Sequence, residues 1–109
     1  MNLATHDRHL PELSVVVLCY KGGETIVPFL EQMERELREG SMENYELVLV
    51  GNYFPGIGDP TPAVITRLAE RNTKITPVLL EKKVMMGWDA RTGLRAATGQ
   101  AIALIDGDG

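Results

Sequence analysis

The chain has 109 residues, a length that fits a single domain. Its net charge of −4 argues against a dedicated nucleic-acid binder, and no apolar run approaches the roughly 20 residues that span a bilayer. The first residues lack the apolar stretch of a secretory signal, and the single cysteine is compatible with the reducing cytoplasm. We therefore expect a cytoplasmic protein with a flexible tail at residues 1–12 and one domain at residues 13–109.

The first part of the domain has the pattern of strand, helix, strand. Residues 13–20 are continuously apolar and β-branched, which predicts a strand covered on both faces. Gly22 and Gly23 interrupt this run, and residues 25–39 then repeat apolar side chains at helical spacing up to Gly40. Residues 46–50 are again apolar after Glu46, which predicts the second strand.

The second part repeats the alternation after a Gly/Pro-rich loop at residues 51–59. Thr61 and Pro62 match an N-cap followed by proline in the first helical position, and Asn72 ends this helix. Residues 75–80 predict a third strand, in which Pro77 favours an edge position. A loop, a helix at 88–97 and a fourth strand at 101–105 complete the pattern.

This alternation predicts an α/β fold, a Rossmann-like three-layer βαβαβαβ domain with right-handed crossovers. The expected order of the parallel strands is 3-2-1-4, so the strand order reverses between the first and fourth strands. Open α/β sheets bind ligands at such a reversal, outside the carboxyl ends of the strands. Residues 20–24 and 106–108 are therefore predicted to meet in one crevice.

Two carboxylates follow the fourth strand, at Asp106 and Asp108. Side chains at i and i+2 of an extended segment point to the same side, so both can share one hard cation and, through it, a diphosphate. The alternative is a plain turn, which Asp-Gly sequences also favour.

Other polar residues near the predicted strand ends have two interpretations each. Glu24 either contacts a ribose or begins a helix, and Lys82 and Lys83 either neutralise a diphosphate or, as is commoner for paired lysines, face solvent. Cys19 has the character of a small buried hydrophobic residue.

Four segments, taken in order, resemble family 2 glycosyltransferases of the GT-A fold. They are VVVLCY at 15–20, ELVLV at 46–50, GLRAATG at 93–99 and LIDGD at 104–108, which matches an apolar strand with an Asp-x-Asp motif. The resemblance covers roughly residues 13–109. The sequence departs from the family at Lys21-Gly22, where Asn-Glu is usual, and at Gly51-Asn52-Tyr53, where Asp-Asp-Gly is usual.

The resemblance implies a truncated GT-A domain, the half that binds a nucleoside diphosphate sugar for transfer to an acceptor. It implies Mg²⁺ or Mn²⁺ on Asp106 and Asp108, and donor contacts at Cys19, Tyr20, Glu24, Asn52, Lys83 and Asp106. The general base of the inverting reaction is expected beyond Gly109, so we expect this chain alone to be inactive. It is also expected to form a homo-oligomer through the exposed edge of the fourth strand. If the acceptor is lipid-linked, the location becomes the membrane surface.

Two other classes remain open at this point. A nucleotidyltransferase-like enzyme shares the alternating fold and the metal dependence, although Lys21-Gly22-Gly23 is only a faint version of its Gly-rich, basic signature. A non-catalytic α/β module for nucleotide binding or assembly is slightly favoured by the departure at Gly51 and Asn52.

Overall fold

The computed structural model of the chain describes residues 10–82 and 88–107. Within these residues strands and helices alternate as the sequence predicts. They are β1 (Leu13–Leu18), α1 (Ile26–Glu39), β2 (Tyr45–Val50), α2 (Thr61–Arg71), β3 (Ile75–Val78), α3 (Trp88–Ala96) and β4 (Ala101–Asp106), with a 3-10 turn, Gly23–Thr25, before α1. All paired strands are parallel and their order is β3-β2-β1-β4, which confirms the predicted fold class and topology.

The two central strands, β1 and β2, are buried on both faces. Val15 and Val17 of β1 face the cluster that α1 and α2 cover, whereas Val16 lies with Val48 and Val50 on the opposite face. All five side chains are at most 2% exposed. Burial on both sides explains why these strands have continuous apolar sequences rather than alternating ones.

Helix α3 packs against the sheet at Gly93, where a side chain would not fit. A Cβ at Gly93 would lie 2.5 Å from Val16 Cγ1 and 2.7 Å from Val50 Cγ2. At Gly99, a Cβ would lie 2.6 Å from Ser14 Oγ. The two glycines of the GLRAATG segment therefore serve the packing of α3 and of the turn into β4.

Apart from boundaries that shift by one residue, three local predictions differ from the structure. Strand β1 ends two residues early because the backbone turns away at Lys21 and Gly23, which both have φ of +54°. Strand β3 ends at Val78. Thr61 is not an N-cap but the first residue of α2: Asp59 Oδ1 accepts its N–H at 2.9 Å, and Thr61 Oγ1 accepts the N–H of Gly23 at 3.0 Å.

The sheet has edges at β3 and β4, so the predicted edge position of Pro77 is confirmed. On β4, Ile102 and Leu104 are each 48% exposed. In residues 10–82 and 88–107, every helix is too short or too polar to cross a bilayer.

Candidate functional site

The carboxyl ends of β1, β2 and β4 meet along one side of the sheet, here called the carboxyl edge. Leu18, the last residue of β1, is in register with Val50 of β2 and with Asp106 of β4. Tyr20 and Asn52 follow β1 and β2 within two residues. The topology therefore brings the predicted site residues of three distant segments to one edge.

Asp106 is the last residue of β4 and its side chain is exposed. The N–H of Gly107 donates to the Leu18 carbonyl at 2.8 Å, which holds the segment after β4 against the end of β1. A Cβ at Gly107 would lie 2.8 Å from that carbonyl, so this close approach depends on glycine. Asp108, the second predicted metal ligand, lies outside the described residues.

A hard divalent cation at the carboxyl edge would meet one described carboxylate, that of Asp106. The carboxylate of Asp106 is the type of ligand that Mg²⁺ and Mn²⁺ prefer, and it stands at the point where the strand order reverses. No group of three His, Cys, Asp or Glu side chains in the described part of the chain is arranged to hold a metal.

Asn52 points into the fold, with 1% of its surface exposed. Its Nδ2 donates to Asp89 Oδ1 at 3.1 Å and to Thr92 Oγ1 at 2.9 Å. Its Oδ1 accepts the N–H of Leu80 at 2.8 Å. Both N–H groups of the amide are thus used within the protein, which ties the end of β2 to the start of α3.

Lys82 does not face solvent, in contrast to the commoner fate of paired lysines. Its side chain is 4% exposed, and Nζ lies 2.8 Å from Asp89 Oδ2. The same Nζ is 4.1 Å from the ring centroid of Tyr20 and 5.6 Å from that of Phe54. A buried ammonium group needs such a counterion, and the aromatic faces add attraction. The sequence signal for it is weak, because its partners are adjacent only in space.

The side chains of Glu24 and Cys19 both make contacts within the protein. The two carboxylate oxygens of Glu24 lie 2.5 and 2.7 Å from Arg67 Nη2 on the outside of α2. Cys19 is 2% exposed, its thiol donates to the Val17 carbonyl at 3.5 Å, and it packs in the core beside α1. Lys83 lies outside the described residues.

A cavity of about 540 Å³ opens beside the carboxyl edge, along the loop that follows β2. Its walls include residues 53–56 of that loop, together with Asp59, Pro62 and Leu79. Phe54 connects the cavity to the edge, because its ring packs edge-on against Tyr20 with centroids 6.4 Å apart. Phe54 is thus shared by the wall of the cavity and by the aromatic contact with Tyr20.

The family description "Glycosyl transferase family 2" matches residues 14–109, which is nearly the whole chain. No curated protein matches the chain. The parallel sheet of order 3-2-1-4 agrees with the Rossmann-like part of a GT-A domain. In general terms the match assigns a glycosyltransferase-type function, with a nucleotide sugar and an acceptor as substrates. The chain belongs to glycosyltransferase family 2.

Proposed function

We propose that the carboxyl edge binds the nucleoside diphosphate part of a sugar donor, and that the protein transfers this sugar to an acceptor. The observation that carries the proposal is the register of Leu18 with Asp106, which keeps a carboxylate beside the segment that contains Tyr20. In open α/β sheets, ligands bind at the carboxyl ends of the strands where the strand order reverses.

Tyr20 and Asp106 are the described residues best placed to touch the donor. Tyr20 is half-buried at the edge and its ring is held by Lys82 and Phe54. Cys19, by contrast, supports the end of β1, where its N–H donates to the Val50 carbonyl at 2.8 Å. Glu24 supports the following turn through Arg67. In this proposal the ammonium group of Lys83 binds the diphosphate.

The metal proposal assigns Asp106 and Asp108 to Mg²⁺ or Mn²⁺. When bound, such a cation neutralises the negative charge that grows on the leaving diphosphate. Asp106 lies at this end of β4 with its side chain exposed, and the Gly107–Leu18 hydrogen bond holds the segment after Asp106 against the end of β1. The inverting course implied by the family also needs a general base at the acceptor, and none of the described residues is assigned that role.

Calorimetric titration tests the proposal. We expect Mn²⁺ alone to bind weakly and to bind more tightly with UDP or GDP present, because two carboxylates leave most coordination positions to water and phosphate oxygens. The double variant Asp106→Asn and Asp108→Asn should lose the nucleotide-dependent part. A matched control, Glu31→Gln with Glu39→Gln, removes the same charge from exposed positions on α1 and should bind as the wild type does.

Two results would contradict parts of this assignment. Unchanged nucleotide-dependent binding in the Asp106 and Asp108 double variant would remove the metal site. Binding of nucleoside triphosphates in clear preference to diphosphates would favour a nucleotidyltransferase-like enzyme instead.

We also propose that the open edge of β4 pairs with the same strand of a second copy. The two half-exposed apolar side chains, Ile102 and Leu104, lie along this edge. Unpaired backbone N–H and C=O groups of an edge strand are a ready template for another strand.

A further inference from the structure

A continuous set of contacts runs from the end of β2 to the residue that follows β1. Asn52 donates to one carboxylate oxygen of Asp89 at 3.1 Å, and Lys82 contacts the other at 2.8 Å. The ammonium nitrogen of Lys82 then lies 4.1 Å from the ring centroid of Tyr20. We call these four residues, Asn52, Asp89, Lys82 and Tyr20, the edge network.

We propose that Asn52 is a positioning residue, which acts through Asp89 and Lys82 to fix the ring of Tyr20. In this view Asn52 does not touch the base of the donor. The effect on donor binding rests on the proposed function, in which Tyr20 contacts the donor, whereas the effect on the ring of Tyr20 does not.

The hydrogen-bonding capacity of Asn52 supports an indirect role. A side-chain amide has two N–H donors, and both are used by Asp89 and Thr92. The oxygen already accepts the N–H of Leu80, and the residue is 1% exposed. A base that bound to Asn52 would have to displace contacts that are buried and satisfied.

The burial of the ion pair explains how a change at Asn52 reaches Tyr20. The side chains of Lys82 and Asp89 are 4% and 17% exposed, so each is the counterion that compensates the other in a largely buried site. Asn52 fixes one oxygen of the Asp89 carboxylate and thereby orients the oxygen that faces Lys82. Without this hydrogen bond the carboxylate is free to rotate, and the ammonium group moves away from the ring.

Nuclear magnetic resonance of the ligand-free chain tests the first step. The protons next to Nζ of Lys82 lie close to the Tyr20 ring and should show an upfield ring-current shift. We expect Asn52→Ala and Asp89→Asn to reduce this shift and to move the ring signals of Tyr20. Thr92→Val is the matched control, because it removes the other acceptor of the Asn52 N–H groups and leaves the hydrogen bond from Asn52 to the Asp89 carboxylate. It also removes the bond from the Thr92 hydroxyl to the Asp89 backbone carbonyl, which does not involve the carboxylate.

Nucleotide titration tests the second step, with UDP, GDP and ADP compared in the presence of Mn²⁺. We expect Asn52→Ala to weaken all three to the same extent, by about tenfold if one buried hydrogen bond is lost. Lys82→Met should have the same effect, and adding Asn52→Ala to it should cause little further loss, since both act along one path. Lys82→Arg, which keeps the positive charge, should restore much of the affinity.

The outcomes separate this proposal from the proposed function. If Asn52→Ala reduces the affinity by different amounts for UDP, GDP and ADP while the Tyr20 signals do not move, Asn52 contacts the base directly. That result would overturn the inference. If the wild type binds none of the three nucleotides, the proposed function fails. The positioning role is then decided by the resonances alone: movement in Asn52→Ala and Asp89→Asn but not in Thr92→Val supports it, and unmoved signals overturn it.

Discussion

Glu46 shows how one residue in an apolar strand can join several parts of the fold. Its carboxylate accepts hydrogen bonds from Ser14 Oγ at 2.5 Å, from the N–H and hydroxyl of Thr98 at 2.6 and 2.8 Å, and from Thr76 Oγ1 at 3.3 Å. These partners lie on β1, on β3 and in the turn before β4. Burial by itself would raise the pKa of Glu46, but the hydrogen bonds from Ser14 and Thr98 outweigh it and lower the pKa below 4.5.

The lowered pKa of Glu46 predicts a pH-dependent stability. Because the folded-state pKa lies below the unfolded value, this contribution is present above about pH 4.5 and is lost as the pH falls through the folded-state pKa. We expect the free energy of unfolding, measured by urea titration at a series of pH values, to fall in that acidic range. Glu46→Gln should reduce this dependence, whereas Glu39→Gln, on the exposed end of α1, should retain it. Identical pH profiles for the wild type and Glu46→Gln would contradict the assignment.

Sequence reasoning located the polar residues of the carboxyl edge better than it predicted their contacts. The position of Asn52 after β2 followed from the strand pattern. Its inward orientation depends on Leu80, Asp89 and Thr92, which are 28, 37 and 40 residues away in the chain. Burial of Lys82 likewise depends on Tyr20 and Asp89. The pairing of two lysines at positions 82 and 83 therefore wrongly favoured a side chain that faces solvent. Side-chain partners of this kind are set by tertiary packing and not by local pattern.

At the scale of elements, the strands and helices were predictable because each is buried in a characteristic way. The apolar runs of β1 and β2 reflect burial on both faces, and the helical spacing in α1 reflects a single buried face that includes Ile26 and Leu30. The boundaries were less predictable, since Lys21 leaves the sheet through a left-handed backbone conformation that β-branched sequence runs do not reveal. The start of α2 was misread because Pro60 is the N-cap residue, and the side chain of Asp59 accepts the N–H of Thr61.

The close packing of α3 on the sheet gives a stability prediction for Gly93→Ala. Alanine favours helices over glycine by about 1 kcal/mol, but a Cβ here would clash with two buried valines that have little freedom to move. Overpacking of this kind costs about 1–3 kcal/mol, so we expect net destabilisation in urea unfolding.

Gly40→Ala is the matched control for this substitution. At Gly40, φ is −84° and the nearest atom to an added Cβ is 3.5 Å away, which is an ordinary contact. We therefore expect little loss of stability there. A Gly93→Ala variant as stable as Gly40→Ala would show that α3 can shift away from β1 and β2 at no cost.

At the scale of the whole molecule, the two edges of the sheet differ in their protection. Strand β3 has four residues, and Pro77 lacks the N–H that a neighbouring strand would need. Strand β4 has six residues without proline or lysine, and Ile102 and Leu104 are half-exposed on the face that α3 covers elsewhere. Only β3 carries the features that natural edge strands use against pairing.

This asymmetry predicts self-association through β4. If two copies pair their β4 strands about a two-fold axis, the backbone N–H and C=O groups on the open side of each β4 find partners. Such symmetric dimers are the commonest closed assemblies. We expect sedimentation to show a concentration-dependent dimer and Ile102→Lys to weaken it, because a charge on an edge strand disfavours pairing. Ile57→Lys, in the loop after β2, is the control. Ile57 is 52% exposed but lies away from β4, so this variant should dimerise as the wild type does. A wild-type chain that stays monomeric at high micromolar concentration, with β4 still ordered, would exclude this interface.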